Sequence, residues 1–242
     1  MIDNEITAHG YSSIDFGDIH RGKTTEVTPG LDYDVESYGR MFGTHLGSDE
    51  GRFVYTKMSG DFDISVQIAD IANTDRNYSE GGLMIRKDLT PTGLYVSMSA
   101  TGNDYDGECD QYMFMYRMQR FGSLEPSDQR QISHHWGPNT YGNDSFGYAA
   151  LFPYYLRNCS ARLRPYPNVT VRITKKGLRY TGYSREYDLE WVKFSDICVD
   201  LGKEFYVGMF VNANEHSMSY PVSPDAMATV KFRNLQGIIM GK

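Results

Sequence analysis

Asp61-Phe62-Asp63-Ile64-Ser65-Val66-Gln67-Ile68 places a large apolar side chain at every second position, with a polar residue before each one. Successive side chains of a strand point to opposite faces, so this stretch is a strand with one face in a core and the other toward solvent. Leu94, Val96 and Met98 repeat the pattern against Tyr95, Ser97 and Ser99. Val169, Val171 and Ile173 repeat it against Thr170, Arg172 and Thr174, after which Lys175-Lys176-Gly177 turns the chain into Leu178-Arg179-Tyr180-Thr181-Gly182-Tyr183. Glycine at the turn between two alternating runs marks a hairpin. Further strands fall at 205–212 and 227–232, no segment keeps a helical period for long, and glycine-rich breaks recur at a sandwich-like spacing. The expected fold is all-β, a two-sheet antiparallel sandwich with Phe62, Ile64, Val66, Leu94, Val96, Val169, Val171, Ile173, Val207 and Met209 in its core.

The chain has 242 residues, a length that all-β folds reach as one unit, and no linker or composition shift divides it. One domain, 1–242, is expected. A formal charge of −7 gives no basic footprint for nucleic acid or an anionic membrane. No apolar run is long enough to span a bilayer, and Met1-Ile2-Asp3-Asn4-Glu5 lacks the charge and apolar pattern of a signal peptide. Cys109, Cys159 and Cys198 are too few and too scattered for a disulfide framework or a zinc knuckle; three reduced cysteines are the plain expectation. Sequons occur at Asn77, Asn143, Asn158 and Asn168, and they matter only in a eukaryotic secretory pathway. Phosphate-loop, nucleophile-elbow and metalloprotease patterns are missing, which removes nucleotide-dependent and serine-hydrolase chemistry.

Residues 118–167 break the rhythm. They mix Gly, Pro, Ser and Asn with Phe121, Trp136, Tyr141, Phe146, Tyr148, Phe152, Tyr154 and Tyr155. So many aromatics do not suit a solvated tether, and an ordered insertion folded over one face of the sandwich is expected. Arg157, Arg162 and Arg164 stand near its end.

In chain order the segments 14–19, 33–39, 48–55 and 59–64 lead to Gly81-Gly82-Leu83-Met84-Ile85-Arg86 and Met113-Phe114-Met115-Tyr116-Arg117. Then come 169–174, Thr181-Gly182-Tyr183-Ser184, Trp191, Tyr206-Val207-Gly208-Met209 and Ala228-Thr229-Val230-Lys231-Phe232. This series resembles the concanavalin-A-like jelly rolls of the DUF1349 or LamG-like kind, over nearly the whole chain outside 118–167. The resemblance implies a jelly-roll sandwich, a polysaccharide or oligosaccharide partner and an extracellular or cell-surface setting. The same sandwich carries lectins, lyases, hydrolases and structural domains, so fold alone does not choose among them.

The resemblance sets Arg86 and Arg117 near one another in a sheet, where they could hold a sugar carboxylate or sulfate, or pair with an acidic residue of the chain itself. Tyr112, Phe114 and Tyr116 alternate with Met113 and Met115. If the methionines face the core, the aromatics turn outward with Tyr95 and form a sugar platform; otherwise they are a second core. Ser133-His134-His135-Trp136 supplies a lyase alternative in which His134, His135 or Tyr116 moves protons and an arginine neutralises a uronate, with Trp136 as a ligand contact. The plainer role is loop packing. Glu108 and Asp110 stand two apart, as in retaining glycosidases, yet the third acidic residue of a laminarinase-type motif is replaced by Tyr112. Asn103-Asp104-Tyr105-Asp106-Gly107 is an acidic turn, with calcium as its functional reading and no other cofactor expected. The leading expectation is a carbohydrate-binding protein, followed by a polysaccharide-cleaving enzyme, then a structural brick assembled with copies of itself or into a larger assembly.

Overall fold

The computed structural model describes residues 10–17, 21–39, 49–73, 78–102, 112–117, 132–136, 166–215 and 226–240. All fourteen strands in them pair antiparallel, in two seven-stranded sheets. Sheet A runs in the order β1 (Ser12–Phe16), β4 (Gly51–Ser59), β13 (Glu204–Glu215), β6 (Tyr78–Arg86), β7 (Tyr95–Gly102), β8 (Tyr112–Arg117), β9 (Ile132–Trp136). Sheet B runs β12 (Val192–Cys198), β11 (Arg179–Glu186), β10 (Val169–Lys176), β5 (Asp61–Asn73), β14 (Met227–Met240), β3 (Asp32–Tyr38), β2 (Lys23–Thr28). The expected sandwich is the observed one. Residues 103–111, which hold the acidic turn with Glu108 and Asp110, lie outside the described residues, as does 118–167 apart from β9 and Tyr166–Pro167.

The core follows from the alternation. Ile64, Val66 and Ile68 stand opposite Ile173, Val171 and Val169 in the β5–β10 register, and all six are fully buried. Residues that pair across two strands share a face, so each pair presents one continuous apolar patch to sheet A. Sheet A answers with Val54, Leu83, Ile85, Val96, Met98, Val207, Met209 and Val211 in the same cluster. Leu94 packs against this cluster while only partly buried, just ahead of β7. Gly182 lets the sheets approach closely: a Cβ there would lie 2.5 Å from Cδ2 of Phe114. Any side chain at 182 would push the sheets apart, which gives the Thr181-Gly182-Tyr183 segment a packing reason.

One orientation is the reverse of that expected. Tyr112 and Phe114 face the inter-sheet core, Tyr116 packs against it half-buried, and Met115 points to the opposite face beside Tyr95. The register accounts for this, because Tyr112 stands opposite the small Ala100 and Phe114 opposite Met98, both core residues of β7. Tyr112 then meets Phe194 of sheet B edge-on, with centroids 6.3 Å apart. The outward platform of Tyr95, Tyr112 and Tyr116 therefore does not form, since Tyr95 and the other two lie on opposite faces of one sheet.

Ile64→Ala opens a hole at the middle of the β5–β10 patch. It should cost about 2–5 kcal/mol in the free energy of urea unfolding.

Candidate functional site

The outer face of sheet A, the one turned away from sheet B, carries the buried charged groups Asp49, Glu80, Arg86 and Arg117. Arg86 on β6, Tyr95 on β7 and Arg117 on β8 stand side by side in the register. Asp49, just before β4, reaches over them. Its Oδ2 accepts from Nη1 of Arg86 at 2.6 Å and from Nη1 of Arg117 at 3.2 Å, and its Oδ1 from Nη2 of Arg117. All three charged side chains have no solvent exposure.

The loop between β6 and β7 completes the shell. Carbonyls of Asp88 and Thr90 accept from Arg86, those of Pro91 and Gly93 accept from Arg117, and the Pro91 carbonyl also takes the Asp49 N–H at 2.8 Å. The guanidinium carbons lie 4.4 Å from the Phe16 ring centroid for Arg86 and 5.0 Å from that of Tyr95 for Arg117. Burial would lower the pKa of Arg117, but the Asp49 carboxylate outweighs it and the pKa is raised. Burial likewise drives the Tyr95 hydroxyl upward.

This geometry corrects the ligand-binding assignment of Arg86, Arg117 and Tyr95. The two guanidiniums converge, as expected, but on a carboxylate of their own chain, and no solvent reaches them. They tie the β6–β7 loop and the start of β4 onto the sheet. Asp49→Ala leaves two buried cations facing each other without their carboxylate and should cost about 3–5 kcal/mol in chemical unfolding.

Toward the other end of β6, Glu80 is fully buried between neighbouring strands. Ser99 Oγ donates to its Oε1, and Asn212 Nδ2 donates to its Oε2 at 2.9 Å. Burial pushes the Glu80 carboxyl up to about 7, against the pull of both hydrogen bonds. Two further buried oxygens of this face, the Ser97 hydroxyl and Asn212 Oδ1, have no hydrogen-bond partner among the described residues. Sequence reasoning overlooked Glu80, although a signal was there: a carboxylate directly before Gly81-Gly82 and the apolar run Leu83-Met84-Ile85.

On β4 and β13 this face carries accessible aromatic rings. Tyr55 and Tyr206 are half-buried and meet edge to face, with centroids 5.4 Å apart and planes at 88°. Tyr55 also stacks on Phe53 at 5.4 Å. Burial, with Tyr206 close by, raises the pKa of Tyr55. The exposed Lys57–Glu204 pair, at 2.9 Å, lies on the same two strands.

On β9, His134 stands opposite Met115, His135 opposite Phe114 and Trp136 opposite Met113, and the side chains of these β9 residues lie outside the description. Among the described residues no three His, Cys, Asp or Glu side chains gather to hold a metal ion. Cys198 carries an exposed free thiol, while Cys109 and Cys159 lie outside the described residues. No described helix is long and apolar enough to cross a membrane.

No family model and no curated protein matches the chain. Solved structures do. A functionally unknown protein from Saccharomyces cerevisiae is similar at 10% identity, over 96% of this chain and 97% of that one, with a TM-score of 0.59. The GH43 BlXynB protein from Bacillus licheniformis is similar at 9% identity, over 88% of this chain and 33% of that one, with a TM-score of 0.49. The exoplasmic/lumenal domain of VIP36, in its Ca2+/Man3GlcNAc-bound form, is similar at 9% identity, over 96% and 84%, with a TM-score of 0.46. At such identities the likeness is one of fold.

Raising the folded-state pKa of a carboxyl favours its protonated form, so the Glu80 contribution is intact below pH 4.5 and is lost as pH rises to about 7. The loss is on the order of 3 kcal/mol. Glu80→Gln keeps a neutral group of the same shape. Its unfolding free energy, measured from pH 4.5 to 8, should lack this decline and exceed the parent's at neutral pH.

Proposed function

We propose that this chain is a carbohydrate-binding jelly roll of the DUF1349 or LamG-like kind. It meets polysaccharide on the outer face of sheet A, along β4 and β13, in an extracellular or cell-surface setting. The observation that carries this reading is the Tyr55–Tyr206 pair. Two half-buried rings, one braced by Phe53, offer rigid apolar area with hydroxyl handles, which suits the apolar face and hydroxyl rim of a sugar ring. Lys57 and Glu204 add a donor and an acceptor at the margin.

Glu80 favours catalysis as the second reading, because a carboxyl near neutrality suits proton transfer. Hydrolysis with retention needs a second carboxylate about 5–5.5 Å away. Among the described residues, the other buried carboxylate of this face is Asp49, which is committed to two arginines. The lyase scheme loses its uronate-neutralising arginines to the same contact. Binding is the stronger reading.

Screening the chain against a polysaccharide array should identify a ligand, and Tyr55→Ala or Tyr206→Ala should weaken its binding by about tenfold or more in titration calorimetry. Stability should change modestly, since the pair is only half-buried and its ring contact adds about 0.5–1.5 kcal/mol beyond burial. Undiminished affinity in both variants would remove this pair from the site, and release of shortened saccharide that Glu80→Gln abolishes would move the protein to the enzyme class.

A further inference from the structure

The outer face of sheet B poses a separate chemical question. Three of its arginines are matched by carboxylates: Arg172 to Asp63, Arg179 to Asp196, and Arg233 to Asp34. Arg185, on the same face of β11, has no carboxylate among the described residues. Its guanidinium carbon lies 4.5 Å from the ring centroid of Trp191 instead. Arg172 lies 5.3 Å from the same indole and 5.1 Å from the ring of Tyr183. Arg172 thus uses its charge on Asp63 and its flat surface to steady Trp191, and Trp191 in turn steadies Arg185.

A guanidinium held by stacking keeps its charge and its fork of donors for something else. Nε of Arg185 is enclosed with no acceptor among the described residues, although the residue as a whole stays in contact with solvent. Thr170, next to Arg185 in the β10–β11 register, brings a hydroxyl to the same patch. A formal charge of −7 makes diffuse attraction of anions weak, so an anion captured here would owe its binding to local groups.

We propose that Arg185, seated on Trp191 and flanked by Thr170, is an oxyanion site that takes the carboxylate or sulfate group of an acidic saccharide. The saccharide carrier rests on the carbohydrate reading given above. The oxyanion site stands on its own geometry, on the other sheet.

The test titrates the full chain with oligogalacturonate, dextran sulfate and uncharged dextran at low salt and at high salt, read by calorimetry and by tryptophan fluorescence. At least one of the two charged chains should bind at low salt and weaken at high salt, and the pair distinguishes carboxylate from sulfate. Arg185→Ala should weaken that binding by about tenfold or more, the loss expected of a charge-assisted contact. Arg185→Lys keeps the charge without the planar fork and should fall between the two. Arg185→Gln, of similar length, replaces the alanine variant if that one does not fold.

Equal binding of the charged chains by the Arg185 variants and the parent, or no binding of either chain by the parent, overturns the oxyanion site. A neutral ligand from the array, lost only in the Tyr55 and Tyr206 variants, would survive that outcome and keep the carbohydrate reading apart from this one.

Discussion

One carboxylate holds two guanidiniums from strands that are not neighbours. Asp49 bridges Arg86 and Arg117 across Tyr95, the residue between them in the register, and all three charged side chains are fully buried. Bringing two cations together inside a protein is unfavourable unless a counter-charge and fixed acceptors surround them. The carbonyls of the β6–β7 loop complete that requirement, so the loop and the chain entering β4 are tied to the same point.

Beside this anchor, much of the outer face of sheet A is buried as well. Phe16, Phe53, Met84, Tyr95, Met115 and Phe210 make a second apolar cluster on the side away from sheet B. A sheet covered on both faces cannot show polar–apolar alternation, and its strands become continuous apolar runs. Leu83-Met84-Ile85 and Met209-Phe210-Val211 are such runs, with the middle residue outward and its neighbours inward. Burial of this face also sets the ionisation of Glu80, whose carboxyl is deprived of water and so raised toward neutrality against the pull of two donors. Among the described residues, β4 and β13 keep an accessible aromatic margin.

The two outer faces offer different chemistry. Sheet A presents half-buried tyrosines beside an exposed ion pair, a surface suited to neutral sugar rings. Sheet B presents cation–indole stacking around Trp191, suited to a charged group. A protein with both could engage different parts of one polymer or two different ligands, because the faces lie on opposite sides of the core.

Local alternation was enough to read sheet B. Its outer face is polar, so Phe62, Ile64, Val66, Val169, Val171 and Ile173 stand out at every second position and their burial follows from the pleat. The hairpin around Gly177 was legible for the same reason, and so was the sandwich class. Sheet A was not legible in detail. In Tyr112-Met113-Phe114-Met115-Tyr116 both parities are apolar, and only pairing with Ala100 and Met98 decided that Tyr112 and Phe114 turn inward. The roles of Arg86 and Arg117 were beyond reach in the same way, since Asp49 lies 37 residues before one and 68 before the other. Sequence by itself determined which residues could form strands and which of sheet B's faces is apolar, because both depend on near neighbours in the chain. Tertiary structure decided which polar groups are consumed by one another and which stay available, because charge and burial depend on distance in space.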